Sequence, residues 1–248
     1  MSMAHTGPAA RDAMAQDRLW TRVTGAAGLA YFVLTIVGFV IVGQDATPAD
    51  APAVVRGHFT DNRSAVLMGV YIDTLAMTCL LAFAAGLGGL VARRGGDPWG
   101  ILGRLMLAGA LGTFAITMVE NMAEAALAFR AASAGEPGAV EALFGLVMMV
   151  NLTAVPLAAF LVGAASGILR SGVAPRWLGW AALVPALLGV IGASGLGDPR
   201  GPVAIIGFVG GFLPSLLWAL VTSVALLVRR ESAALSPEER PVHTGGER

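Results

Sequence analysis

Glu120, Asn121 and Glu124 stand close together inside an apolar run that begins near Ile101 and lasts to Phe129. An ionisable side chain at membrane depth costs roughly 2.5 to 3.5 kcal/mol on insertion scales, so it normally faces a bundle interior, a partner or water. A second acid, Asp73, stands in the apolar run from Ala65 to Ala92, with Asn151 in the run from Ala142 to Leu169 and Thr35 in the run from Val23 to Gly43. Counted from the same end of the runs, Asp73 is nine positions from Ser64, Glu120 nine from Phe129, Asn151 nine from Ala142 and Thr35 eight from Gly43. At about 1.5 Å per helical residue, these four groups share one level, roughly 12 to 14 Å below one face. Asp73, Glu120, Asn151 and Thr35 are thus expected to form an intramembrane polar cluster. Two carboxylates at that depth must meet and share a proton, or border a water-filled cavity. Asn151 is placed to hydrogen-bond a protonated carboxyl, and Thr35 to bond either its own helix or the cluster. Glu124, one turn beyond Glu120 on the same face, reads as a cavity mouth or as an interfacial residue paired with Arg56, Arg63, Arg130 or Arg200.

Two functional classes follow. In one, the chain is a proton-linked carrier or small-ligand sensor with an outward-facing polar cavity around Asp73 and Glu120. In the other, it is a structural or partner-binding membrane protein whose polar residues hold helices together, which interhelical hydrogen bonds do with about 1 to 2 kcal/mol each at best. An intramembrane enzyme using the acids as general acid and base is a third class, but no His-Glu-x-x-His or Gly-x-Ser-x-Gly motif accompanies them.

Other chemistries are excluded by residue type. All 16 basic residues are arginine, so there is no lysine for a retinal Schiff base, a pyridoxal anchor or a P-loop. The single cysteine, Cys79, permits neither an internal disulfide nor a thiolate metal cluster. His5, His58 and His243 all lie outside the hydrophobic runs and read as solvent-facing residues, which argues against a haem held between helices. His58 with Asp61 supplies two metal ligands without a third. No cofactor and no metal are expected, and a formal net charge of zero gives no nucleic-acid footprint.

The elements that must position these residues are membrane helices. Of 248 residues, 56% are hydrophobic and 13% charged, too apolar for a soluble domain of this length. An all-α polytopic bundle of six transmembrane helices is expected, with spans at about 23–43, 65–92, 101–129, 142–169, 178–195 and 203–228. Residues 1–22 read as a disordered or interfacial tail and 229–248 as a disordered tail. Pro156, Pro185 and Pro214 fall inside spans four, five and six as candidate helix kinks. The glycines of 86–89 and 207–211 read as places of close helix approach. Two short turns, around Arg94-Gly95 with Pro98-Trp99-Gly100 and around Arg170 with Gly172 and Pro175, look alike. Six spans put both ends of the chain on one side together with twelve of the 16 arginines, leaving Arg56, Arg63, Arg130 and Arg200 on the other. By the positive-inside rule both termini are expected in the cytoplasm. The expected partners are the lipid bilayer and either protons or a small-molecule ligand.

Four segments carry a likeness to a family. They are Arg22-Val23-Thr24-Gly25-Ala26-Ala27-Gly28-Leu29-Ala30-Tyr31, Gly69-Val70-Tyr71-Ile72-Asp73, Ser171-Gly172-Val173-Ala174-Pro175-Arg176-Trp177-Leu178-Gly179 and Phe212-Leu213-Pro214. Together they resemble the bacterial membrane proteins of the domain of unknown function 4386 family, over most of residues 18 to 230. The resemblance implies a multi-pass protein of the bacterial cell membrane and suits an acid at position 73; it brings no activity with it.

Overall fold

In hydrocarbon a backbone N–H or C=O finds no water, so a chain that crosses must satisfy its own hydrogen bonds, and long apolar runs become helices. The computed structural model describes residues 8–43, 52–98, 100–131, 134, 137–195 and 201–228, and among these residues there is no strand. The elements are α1 (Pro8–Val42), α2 (Pro52–Asp61), α3 (Arg63–Arg93), α4 (Ile101–Ala126), a π-helical turn (Leu127–Ala131) and α5 (Pro137–Val147). A 3-10 segment (Met148–Thr153) leads into α6 (Ala154–Ser171), followed by α7 (Arg176–Ala193) and α8 (Pro202–Ile205). A π-helical segment (Ile206–Phe212) leads into α9 (Leu213–Val228). Six helical stretches are long and apolar enough to cross a membrane: Ala15–Val42, Arg63–Arg93, Ile101–Arg130, Gly138–Ser171, Arg176–Ala193 and Pro202–Val228. The protein is an all-α polytopic membrane bundle.

Several details differ from the expectation. Helix α1 is already formed at Pro8, so residues 8–22 are helical and continuous with the first span. The polar connection after span one contains α2. The segments 1–7 and 229–248 lie outside the described residues. Spans four and six are composite, and two of the three prolines stand where the helix type changes. Pro156 lies in the first turn of α6 after the 3-10 segment, and Pro214 in the first turn of α9 after the π segment. A residue without an N–H removes an interior helical bond but costs little in a first turn, so a change of helix type ahead of it accommodates the proline. Pro185 lies inside α7.

Each span packs on the next, and the circle closes where α1 meets α9. The two similar turns meet at one end, where a side chain at Gly96 would run into Ser171. That end, which carries Arg93, Arg94, Arg170 and Arg176, is called the arginine end below. There Arg93 Nε pairs with Asp17 Oδ1 at 3.1 Å, an exposed contact of small energetic weight. Gly172, with φ +60°, ends α6 in the left-handed conformation that glycine adopts without strain. Further in, Phe83, Phe160 and Trp218 meet edge to face with ring centroids 5.9 to 6.3 Å apart, tying α3, α6 and α9. The Trp218 indole Nε1–H donates to the Leu178 carbonyl at 2.8 Å and so engages α7 as well.

The turn into span three has its own cap. The Gly103 N–H donates to Asp97 Oδ2 at 2.8 Å, serving one of the amides that a helix start leaves open. Burial opposes charge on Asp97, but the amides of Gly103, Leu102 and Ile101, together with the Arg104 charge, outweigh it and hold the carboxyl below the usual carboxylate range. A depressed folded-state pKa stabilises above the unfolded value of about 3.9, and that stabilisation is lost as pH falls through the lower folded value. Asp97→Asn should therefore melt below wild type at pH 7. The gap should stay level down to about pH 4 and close below it. A gap unchanged from pH 7 to pH 3 would show that the charge of Asp97 contributes nothing.

Candidate functional site

The interior is filled toward the arginine end and hollow toward the opposite, far end. A cavity of about 340 Å³ lies there, and all six spans line it, with Thr35, Asp73, Glu120, Asn151, Pro185 and Phe212 as one residue from each. Its floor includes Met77, Leu157 and Leu161, and the Phe83, Phe160 and Trp218 cluster lies nearer the arginine end. Asp73, Glu120, Glu124, Asn151 and Thr35 all border this one space.

Within it the structure assigns partners that the sequence left open. Asn121 Nδ2–H donates to Asp73 Oδ2 at 2.9 Å, joining α4 to α3, and lies 3.5 Å from Thr74 Oγ1. The donor to Asp73 is thus Asn121, the chain neighbour of Glu120, while Asn151, expected to hydrogen-bond a protonated carboxyl, borders the same cavity. Thr35 donates to the Tyr31 carbonyl at 2.8 Å, so its proton is used within its own helix. A buried hydroxyl in an apolar helix does this readily because the carbonyl four residues back has a spare lone pair. Thr74 and Thr113 do the same, toward Val70 and Gly109. Asn151 sits in the 3-10 segment, where the rise is about 2.0 Å per residue, so counting its depth at the α-helical rise does not hold.

Asn121 is the residue that spacing could have found. Thr113, Thr117 and Asn121 recur every four residues and are all buried, a polar stripe down one face of α4 that points into the cavity. Glu120 and Glu124 form the adjacent row and are partly buried. Tyr31, buried on α1, also lines the space.

Glu124 stands at the far-end margin of the cavity, just before Leu127 and Ala128, which belong to a buried apolar cluster with Val55, Phe59, Phe144 and Val147. That cluster, which brings α2 and α5 over α3 and α4, roofs the far end of the space. Of the four arginines considered for Glu124, Arg63 lies over the Phe129 ring at 5.0 Å, and Arg200 is outside the described residues. His58 is half-buried and lines the cavity beside Phe59, rather than facing solvent alone. Among the described residues no group of three or more His, Cys, Asp or Glu side chains is arranged to hold a metal ion.

No family model, curated protein or solved structure matches this chain. The likeness to the domain of unknown function 4386 family rests on its four short segments alone, and the functional reading rests on the cavity.

Proposed function

We propose that the protein is a proton-linked carrier of a small molecule in the cell membrane, with its arginine end in the cytoplasm and the cavity as the binding site. The observation that carries this reading is the shared cavity. Carboxylates from spans two and three, Asp73 and Glu120, border one space of about 340 Å³ together with Asn121 and Asn151. Ionisable groups inside a membrane bundle mark proton and substrate paths by default, because their cost must be repaid by function or pairing. Pockets of this size, apolar with a few convergent polar groups, are the usual form of a small-molecule site. The buried aromatic cluster toward the arginine end closes that side, as one state of an alternating-access cycle requires.

Reconstituted vesicles holding a pH-sensitive dye test it. With a panel of small organic solutes added one at a time, a solute that the protein carries should make an imposed acid gradient decay faster than in protein-free vesicles given the same solute. Asp73→Asn and Glu120→Gln, eluting as intact protein, should each cut the added proton flux at least ten-fold. Equal flux from variants and wild type would sink the carrier, and ligand binding without any flux would leave a small-ligand sensor.

The structural reading has one observation in its favour, the Asn121 to Asp73 hydrogen bond between α4 and α3. If that bond is the whole role of the acid, a double-mutant cycle should give a coupling of about 0.6 to 1.7 kcal/mol, while flux and ligand binding stay unchanged in both single variants.

A further inference from the structure

The cavity has three kinds of boundary, and one is much thinner than the others. Toward the arginine end lies the buried aromatic cluster. Toward the far end Phe59 of α2 meets Phe144 of α5, ring centroids 6.2 Å apart, and these residues are only 3% and 9% exposed. Sideways, between span one and the start of span six, the helices turn to different neighbours. At this level α1 packs on α3, with Gly69 against Val42 and Gly38 against Ile72, while Gly207 and Gly211 pack on Gly192 and Gly189 of α7. Spans one and six approach closely near the arginine end, where Gly25 and Gly28 lie on Leu227 and Ser223. Toward the far end, rings bridge the seam. Phe39 meets Phe212 edge-on at 5.9 Å, and Phe208 stacks on Phe212 at 5.7 Å. Phe39 and Phe208 are 46% and 47% exposed, yet both line the cavity. The same side chains therefore face the space inside and the hydrocarbon outside. The segment that carries Phe208 and Phe212 is π-helical and holds Gly207, Gly210 and Gly211, a backbone type that recurs at functional sites and lacks the stiffening of side chains.

We propose that this seam is a lateral portal between the bilayer and the cavity, gated by Phe39, Phe208 and Phe212, and that the ligand it admits is a lipophilic organic cation. The inference rests on the cavity being a ligand site, as proposed above, and adds its entrance and ligand class. A ligand that enters from lipid must be apolar over most of its surface, which suits walls of Val70, Met77 and Leu157. Its charge is set by what waits inside. Asp73, oriented by Asn121, offers a carboxylate oxygen to a cation, and no arginine lines the cavity among the described residues, so an anionic head finds no guanidinium. Phenylalanine faces at the portal attract a passing cation through the ring quadrupole.

Tetraphenylphosphonium and tetraphenylborate, equal in shape and opposite in charge, test both parts on the full chain in lipid nanodiscs. Labelled tetraphenylphosphonium should bind saturably and tetraphenylborate should not. Asp73→Asn should weaken phosphonium binding at least ten-fold. Phe39→Ala should raise association and dissociation rates together, at least five-fold, with Kd within about two-fold of wild type, and Trp180→Ala, exposed on α7 and outside the cavity lining, should leave both rates alone. Phe212→Leu, milder in volume, repeats the kinetic test should Phe39→Ala fold poorly. Rates that respond to Phe59→Ala and not to the seam variants would overturn the portal in favour of entry through the roof. Equal binding of the borate, or no saturable phosphonium binding by folded wild type, would overturn the ligand class. Binding is read without a proton gradient, so proton flux in the absence of phosphonium binding overturns this inference and leaves the carrier, and binding without flux does the reverse.

Discussion

Trp218→Ala is expected to destabilise the bundle by about 3 kcal/mol, the low end of the range for a large aromatic truncated in a core. The low end applies because the reference here is lipid. Hydrocarbon outside the bundle is as apolar as hydrocarbon inside, so what is lost is contact and filled volume rather than transfer from water. The contacts are specific: Trp218 is 4% exposed, completes a three-ring cluster with Phe83 and Phe160, and hydrogen-bonds the Leu178 carbonyl. One side chain thereby joins four of the six spans. Trp218→Phe keeps a ring in the cluster but loses the indole donor, and should cost about 1 kcal/mol. Trp180, 64% exposed on α7, is the control, and Trp180→Ala should be nearly silent. Unfolding in detergent followed by circular dichroism orders the three. If Trp218→Ala costs no more than Trp180→Ala, the aromatic cluster is not what holds the arginine-end half together.

Gly192→Ala should cost about as much by the opposite route, adding atoms where none fit. A Cβ on Gly192 would strike the Cα of Gly207, and one on Gly207 would come within 2.7 Å of the Cα of Gly192. A second rung repeats the approach, since a Cβ on Gly211 would come within 2.6 Å of the Cα of Gly189. Backbone cannot swing aside as a side chain does, so α7 and the start of span six must part, at roughly 3 kcal/mol, the upper part of the usual range for overpacking. Small residues let helix backbones approach closely in lipid, and van der Waals contact is the main attraction they have there. Gly145→Ala should have the opposite sign. Nothing lies within 4 Å of a Cβ at Gly145, which sits inside α5, so alanine should stabilise by up to about 1 kcal/mol through helix propensity. Because Gly189, Gly192, Gly207 and Gly211 also line the cavity, Gly192→Ala should alter ligand binding along with stability. Equal effects at positions 145 and 192 would mean that the glycine crossing is not a close contact.

The fold was largely legible because the bilayer imposes a length. About 20 apolar residues are needed to cross, and runs of that length between polar turns showed six crossings to within a few residues at most boundaries. The two acids were legible for the same reason, since a carboxylate in an apolar run stands out, and counting at a helical rise suggested that they share a level. Asp73 and Glu120 border one cavity, as a shared level permits but does not require.

What the sequence by itself determined, then, is the class, the number of crossings and the side chains that lipid would not tolerate outside a bundle. Tertiary structure decided rotation and partners. Inward and lipid-facing sides are both apolar in a membrane helix, so hydrophobic periodicity says little about which face turns inward, and Asn121 became the donor to Asp73 through packing of α4 on α3. Departures from the α-helix were hidden too, because the 3-10 segment at 148–153 and the π segment at 206–212 arise where prolines and close neighbours disturb a local preference. The roof over the cavity and the phenylalanine seam at its side are contacts between residues distant in the chain. Only the packed bundle brings Phe59 to Phe144 and Phe39 to Phe212.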